Sequence, residues 1–217
     1  MSDDEGCAHV MSWISRLNPS IVFGPAPRGT DDVAYLSETL DVTLFINLTP
    51  RSATYTRVPE FVSKRSMKRT VATSEAYIGY FDDDNPLPVE YHNVPFDSAA
   101  IPPKGRLKEH QICNLAVEYV RFTKREVMPF IKGKAITFIH AKDGFGDEAF
   151  IAFAVWALSK AHSPPSDVLA WFTQAVGSNS PVVNKGVLNE DEENLKLLAA
   201  IWAEARKPAS PFDRGAK

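Results

Sequence analysis

The sequence predicts an α/β fold, a single domain with a central, mostly parallel sheet flanked by helices. Three observations predict it. Residues 42–48, with Val42, Leu44, Phe45, Ile46 and Leu48, and residues 135–140, with Ala135, Ile136, Phe138 and Ile139, are nearly unbroken apolar runs, the pattern of strands covered on both faces. Stretches with helical spacing separate the strand-like runs, so the two kinds of element alternate along the chain. Residues 148–161 are apolar almost all round, which places a helix in the middle of a domain rather than on its surface.

Taken in order, Val10, Met11, Trp13, Ile14 and Leu17 recur at helical spacing and stop at Asn18-Pro19, predicting a short amphipathic helix. Ile21, Val22 and Phe23 predict a strand that ends in the loop Gly24-Pro25-Ala26-Pro27. Thr30, Asp31 and Asp32 offer N-cap chemistry for a helix over 33–40, and the strand over 42–48 follows. Residues 49–88 show no clear period and hold a basic piece (Arg57, Lys64, Arg65, Lys68, Arg69) and an acidic turn at 82–86. A strand is expected over 89–96 and one long helix over 104–130, with Leu107, Ile112, Leu115, Ala116, Tyr119 and Val120 on one face and an end near Met128-Pro129. After the 135–140 strand and the 148–161 helix come a helix over 168–176 and a last one over 189–206, with Leu195, Leu198, Ala199 and Trp202 on one face. The expected organisation is an N-terminal helical extension at 1–19, the domain at 20–206 and a flexible tail at 207–217.

The composition narrows the function classes. With 24 Lys and Arg against 27 Asp and Glu, the net charge of −3 gives no support to a broad nucleic-acid or acidic-membrane footprint. Glu60 interrupts the basic piece and aromatics are sparse beside it, so a solvated face is the simpler reading. The only cysteines are Cys7 and Cys113, too few for a disulfide framework or a cysteine-rich zinc site, and a reducing, intracellular setting, cytoplasmic or nuclear, is expected. No apolar run reaches the about 20 residues a bilayer requires, so no membrane partner is expected. No cofactor and no metal are expected.

The chemistry is concentrated after the 135–140 strand. A strand that ends at His140, a short glycine-containing loop and a buried helix together form a nest of backbone donors at a helix N-terminus, suited to an anion. The stretch Ile139, His140, Ala141, Lys142, Asp143, Gly144, Phe145, Gly146, Asp147 resembles the phosphate-binding loop of the cysteine-dependent tyrosine and dual-specificity phosphatases, which reads His-Cys, five residues, Arg. Further pieces in the same order are similar to that family. They are residues 21–24, followed by a helix, with 45–48, and Val94-Pro95-Phe96-Asp97 with Ile101-Pro102-Pro103 and a long helix, which looks like the general-acid loop of the regenerating-liver and tensin-like branches. The resemblance implies a dual-specificity phosphatase-like domain, with Asp97 at the general-acid position and His140 behind the nucleophile.

Two departures fall on the reaction itself. The resemblance puts the nucleophilic cysteine at position 141 and the phosphate-gripping arginine at 147, where this chain has Ala141 and Asp147. A methyl group cannot attack phosphorus. A carboxylate in place of the guanidinium replaces hydrogen bonds of about 1.5–3 kcal/mol with repulsion of roughly 4 kcal/mol at an effective dielectric of about 20, which Lys142 offsets only in part. Asp147 and Glu148 instead suit a helix N-terminus, so the nest is expected to be filled by its own side chain. His140 is read as a buried, hydrogen-bonded strand-end residue, Asp97 as a structural loop residue, and Gly144 and Gly146 as needed for the shape of the turn.

The sequence therefore predicts a catalytically inactive member of that family, a pseudophosphatase that works by binding another protein, with a homodimer through the N-terminal helix around Trp13 as a further expectation. Two alternatives stand beside it. One is an active phosphatase in an inactivated form, which Asp147 opposes because it removes substrate binding too. The other is metal-assisted chemistry at Asp143, Asp147 and Glu148.

Overall fold

The computed structural model describes residues 14–27, 32, 35–48, 75–80, 87–96, 108–131, 133, 135–141, 146–159 and 192–208. Six strands form one sheet: β1 (Ser15–Asn18), β2 (Ile21–Pro25), β3 (Val42–Asn47), β4 (Glu75–Tyr80), β5 (Leu87–Asn93) and β6 (Ile136–Ala141), in the spatial order β1-β2-β6-β3-β5-β4. The four inner strands run parallel, and the two edge strands pair antiparallel with their neighbours. Three helices are described, α1 (Glu109–Phe122), α2 (Asp147–Ser159) and α3 (Glu192–Ala205). The fold is thus α/β with a mixed, mostly parallel sheet, and β6 lies in its interior between β2 and β3.

One element differs in kind from its expectation. Residues 15–18 are a strand, not the end of a helix, and they belong to the sheet rather than to an extension before it. Buried Ser15 and Leu17 flank exposed Arg16, a period of two that outweighs the helical spacing of the residues before it. The turn explains why the chain folds back: Asn18 Oδ1 accepts the Ser20 amide at 2.7 Å, and Pro19 sets the bend between them. The helix on which the expected dimer rests therefore does not reach Leu17, and Val10, Met11 and Trp13 lie outside the described residues. β4 falls in the stretch where the sequence shows no period. The helix expected over 168–176 lies outside the described residues.

The crossover between β2 and β3 contains a widened helical turn at Tyr35–Thr39, closed by the bond from the Leu40 amide to the Tyr35 carbonyl at 3.3 Å. Asp41 then takes φ 56°, a left-handed conformation that Asp adopts more readily than most residues. α1 is capped by Gln111, whose side chain accepts the Lys108 amide at 2.8 Å. It widens at Thr123–Val127, where the Met128 amide reaches the Thr123 carbonyl at 2.8 Å, and Pro129 follows.

The sheet has two unequal faces. Phe23, Leu44, Ile46 and Ile139 meet the helical layer, where α2 is buried from Glu148 through Ala157 and α1 and α3 pack beside it. Val22, Phe45 and Phe138 point the other way, onto Leu36 and Val42. A bulge between Val42 and Leu44 lets Val42 and Phe45 share that face despite their odd spacing. No helix among the described residues is long and apolar enough to cross a membrane.

Candidate functional site

β6 ends at the carboxyl edge of the parallel strands, where α/β sheets place their ligand sites, and α2 begins a short loop later. His140 lies between Gly24 of β2 and Asn47 of β3, and its carbonyl accepts the Leu48 amide at 2.8 Å. It is buried, with its ring stacked on Phe138 at 5.4 Å. Burial lowers its pKa from the usual 6.5 to about 3, so it is neutral at physiological pH. Ala141, the last residue of β6, is partly buried against the helical core.

The two carboxylates that open α2 point to different partners. Glu148 is 1% exposed and folds back so that its Oε1 accepts the Gly146 amide at 2.8 Å. A donor at the mouth of the helix therefore meets a side chain of the same helix. Asp147 Oδ1 accepts a hydrogen bond from the Tyr119 hydroxyl of α1. The Tyr119 ring is buried between Phe96, stacked at 5.0 Å, and Phe150 at 5.5 Å. Burial, and then the Asp147 charge and hydrogen bond, raise the Tyr119 pKa far above the ordinary phenol value, so this hydroxyl is a permanent donor.

At position 147, then, an acceptor is held by a donor from a neighbouring helix. The sequence shows Tyr119 only as an apolar position on a helix face. The signal that could have found it is chemical: a tyrosine on the buried face of a helix needs an acceptor for its hydroxyl. Gly146 is the one glycine of this loop among the described residues. It does not take the left-handed conformation, and among the described residues a methyl group there would meet Glu148 Oε2, at 4.0 Å. Lys142, Asp143, Gly144, Phe145 and Asp97 lie outside the described residues. Phe96, next to Asp97, is anchored by its amide on the Leu48 carbonyl at 3.0 Å. Cys113 is exposed on α1. Among the described residues no cluster of three metal-ligating side chains occurs.

No family model matches the chain, and no curated protein matches it. Among solved structures it is similar to PTPMT1 in complex with PI(5)P, at 14% identity and a TM-score of 0.43 over 94% of this chain and 99% of that one. It is similar to a single-residue variant of human DUSP28 at 18% identity and a TM-score of 0.40, over 88% of this chain and 97% of that one. It is also similar to the core catalytic domain of the PP-IP phosphatase SIW14 from S. cerevisiae in complex with citrate, at 11% identity and a TM-score of 0.37, over 86% and 90%. All three likenesses are distant, and the chemistry of this site rests on its own residues.

Proposed function

We propose that this protein is a pseudophosphatase, a phosphatase-like domain that binds another protein and does not turn over phosphate esters. The observation that carries this reading is the pairing of Ala141 at the end of β6 with an Asp147 carboxylate already engaged by Tyr119. The first removes the nucleophile. The second puts negative charge and a satisfied acceptor where a phosphate dianion would need a donor. With Glu148 on the Gly146 amide, the two acids compete with any oxyanion for this helix N-terminus.

The test is hydrolysis of a small aryl phosphate by purified protein from about pH 5 to pH 8, the range in which a carboxylic general acid would act. We expect no turnover above buffer. Turnover that survives purification and disappears in Asp97→Ala would overturn the reading. A second variant asks how far the loop has moved from a working one: Ala141→Cys with Asp147→Arg should gain affinity for vanadate or sulfate. Activity need not follow, because positioning tolerances for the nucleophile are well below an ångström.

A further inference from the structure

The last turn of α3 holds a polar cluster of a different kind. Trp202 is 4% exposed, with its ring stacked on Trp156 of α2 at 4.8 Å. Arg206, one helical turn on and so on the same face, lays its guanidinium over the Trp202 ring, with Cζ 4.3 Å from the centroid. The stack and the helix C-terminus account for a cation at this position. They do not account for its donors. Among the described residues, Nε and Nη2 of Arg206 are buried with no hydrogen-bond acceptor, and so is Nε1 of the same Trp202. Glu204, close by on the same helix, pairs with Lys207 at 2.5 Å and does not supply one.

Nε–H and Nη2–H are the parallel pair on one side of a guanidinium, the side that meets both oxygens of a carboxylate at once. Buried donors of this kind are almost always matched in native proteins. Arg206 as a whole is only partly buried, and Lys207 and Pro208 beyond it are exposed, so the buried donors lie next to the solvent-facing end of the helix. We propose that Arg206 and Trp202 form a carboxylate-binding site at the end of α3. Arg206 supplies a two-point fork, and Trp202 supplies a further donor and a flat platform that fixes the plane of the guanidinium. The ligand is a carboxylate, carried by a small organic acid or by an acidic side chain of a partner protein. The site is independent of whether the loop after β6 is active.

The test uses the full chain labelled with ¹⁵N, following the Trp202 indole N–H and the Arg206 Nε–H signals. Sodium acetate is titrated against sodium chloride at matched ionic strength, and then a short glutamate-rich peptide is titrated in the same way. We expect both signals to move saturably with acetate and not with chloride. Arg206→Lys keeps the charge and loses the fork, and should weaken acetate binding about tenfold or more, read from the Trp202 signal. Trp202→Phe keeps a ring under the guanidinium and should weaken it less, read from Arg206. A peptide that saturates at far lower concentration than acetate identifies a protein side chain as the ligand, and equal behaviour identifies a small acid. Signals that move as much with chloride, or an acetate response unchanged by Arg206→Lys, would overturn the site. Should Arg206→Lys fold poorly, an acetate-dependent rise in melting temperature that persists undiminished in Trp202→Phe and in Arg206→Gln would do the same.

Discussion

Two helix ends in this protein treat their polar groups in opposite ways. At the start of α2, Glu148 takes the Gly146 amide and Tyr119 takes Asp147, so an arrangement suited to an external anion is occupied by the chain's own carboxylates. At the end of α3, Arg206 and Trp202 offer buried donors for which the described residues provide no acceptor. A likeness in sequence to an anion-binding loop therefore does not locate the donors left for an anion. What decides is whether an acceptor has already been supplied from within, and acidic residues at the mouth of a helix can supply it.

The contrast can be broken most forcefully at the tryptophan platform. Trp202→Ala removes the stack on Trp156 and the floor under Arg206, and we expect a loss of about 3–5 kcal/mol by urea denaturation, against a smaller loss for Trp202→Phe, which keeps a ring at the site. Equal effects would mean that packing volume plays little part there.

The closed end has its own signature in pH. His140 is held neutral when folded, with its pKa lowered to about 3 from 6.5, so between those values the unfolded chain binds the extra proton. Its contribution to stability is complete above pH 6.5 and is lost as the pH falls toward 3, at up to about 1.4 kcal/mol per pH unit. Chemical denaturation at a series of pH values should show a shallower acid slope in His140→Phe than in the parent. An unchanged slope would show that His140 does not titrate on unfolding.

Smaller effects sharpen the comparison further. Tyr119→Phe deletes the donor to Asp147 and should cost about 1.5–3 kcal/mol, the range for hydrogen bonds to charged groups. Glu148→Ala frees the Gly146 amide and should cost about 0.5–2 kcal/mol, with Glu148→Gln between it and the parent. Should phosphate then raise the melting temperature of Glu148→Ala but not of the parent, the self-filled nest is demonstrated directly. At the open end, Arg206→Met removes buried donors that have no acceptor among the described residues, so without added carboxylate it should not destabilise the protein, the relief of those donors offsetting the cation–π contact of about 0.5 kcal/mol.

The sequence is most legible where burial is complete. The runs that form β3 and β6, and the all-round apolar α2, can be read because strands and helices covered on every side admit few polar residues. The misreading at β1 has the converse cause. So short a strand cannot establish a period of two, and the helical spacing of Val10, Met11, Trp13 and Ile14 runs into it. β4, which holds Glu75 and Gly79 among its residues, is an edge strand whose pattern is set by one neighbour only. At the site, Ala141 and Asp147 stand out only by contrast with the loop that this stretch resembles. The Tyr119 bond is not, because nothing in the spacing from 119 to 147 announces that two helices meet there. Trp202 and Arg206, one turn apart, could have been paired from the sequence, but whether an acceptor stands beside them is visible only in three dimensions.

The strand order has a consequence for how the chain reaches this state. β2 and β3 are separated by β6, so the hydrogen-bonding edges that these two early strands turn toward each other remain unpaired until residues 136–141 have been made and inserted. Such pairing, about ninety residues apart along the chain between Asn47 of β3 and His140 of β6, makes assembly slow relative to local helix formation. During synthesis, the first half of the molecule therefore leaves the ribosome with the hydrogen-bonding edges of two apolar strands exposed and no partner yet in existence. The strand that ends at Ala141 is also the keystone of assembly, which gives the apolar residues from Ile136 to Ile139 a structural role independent of any chemistry at position 141.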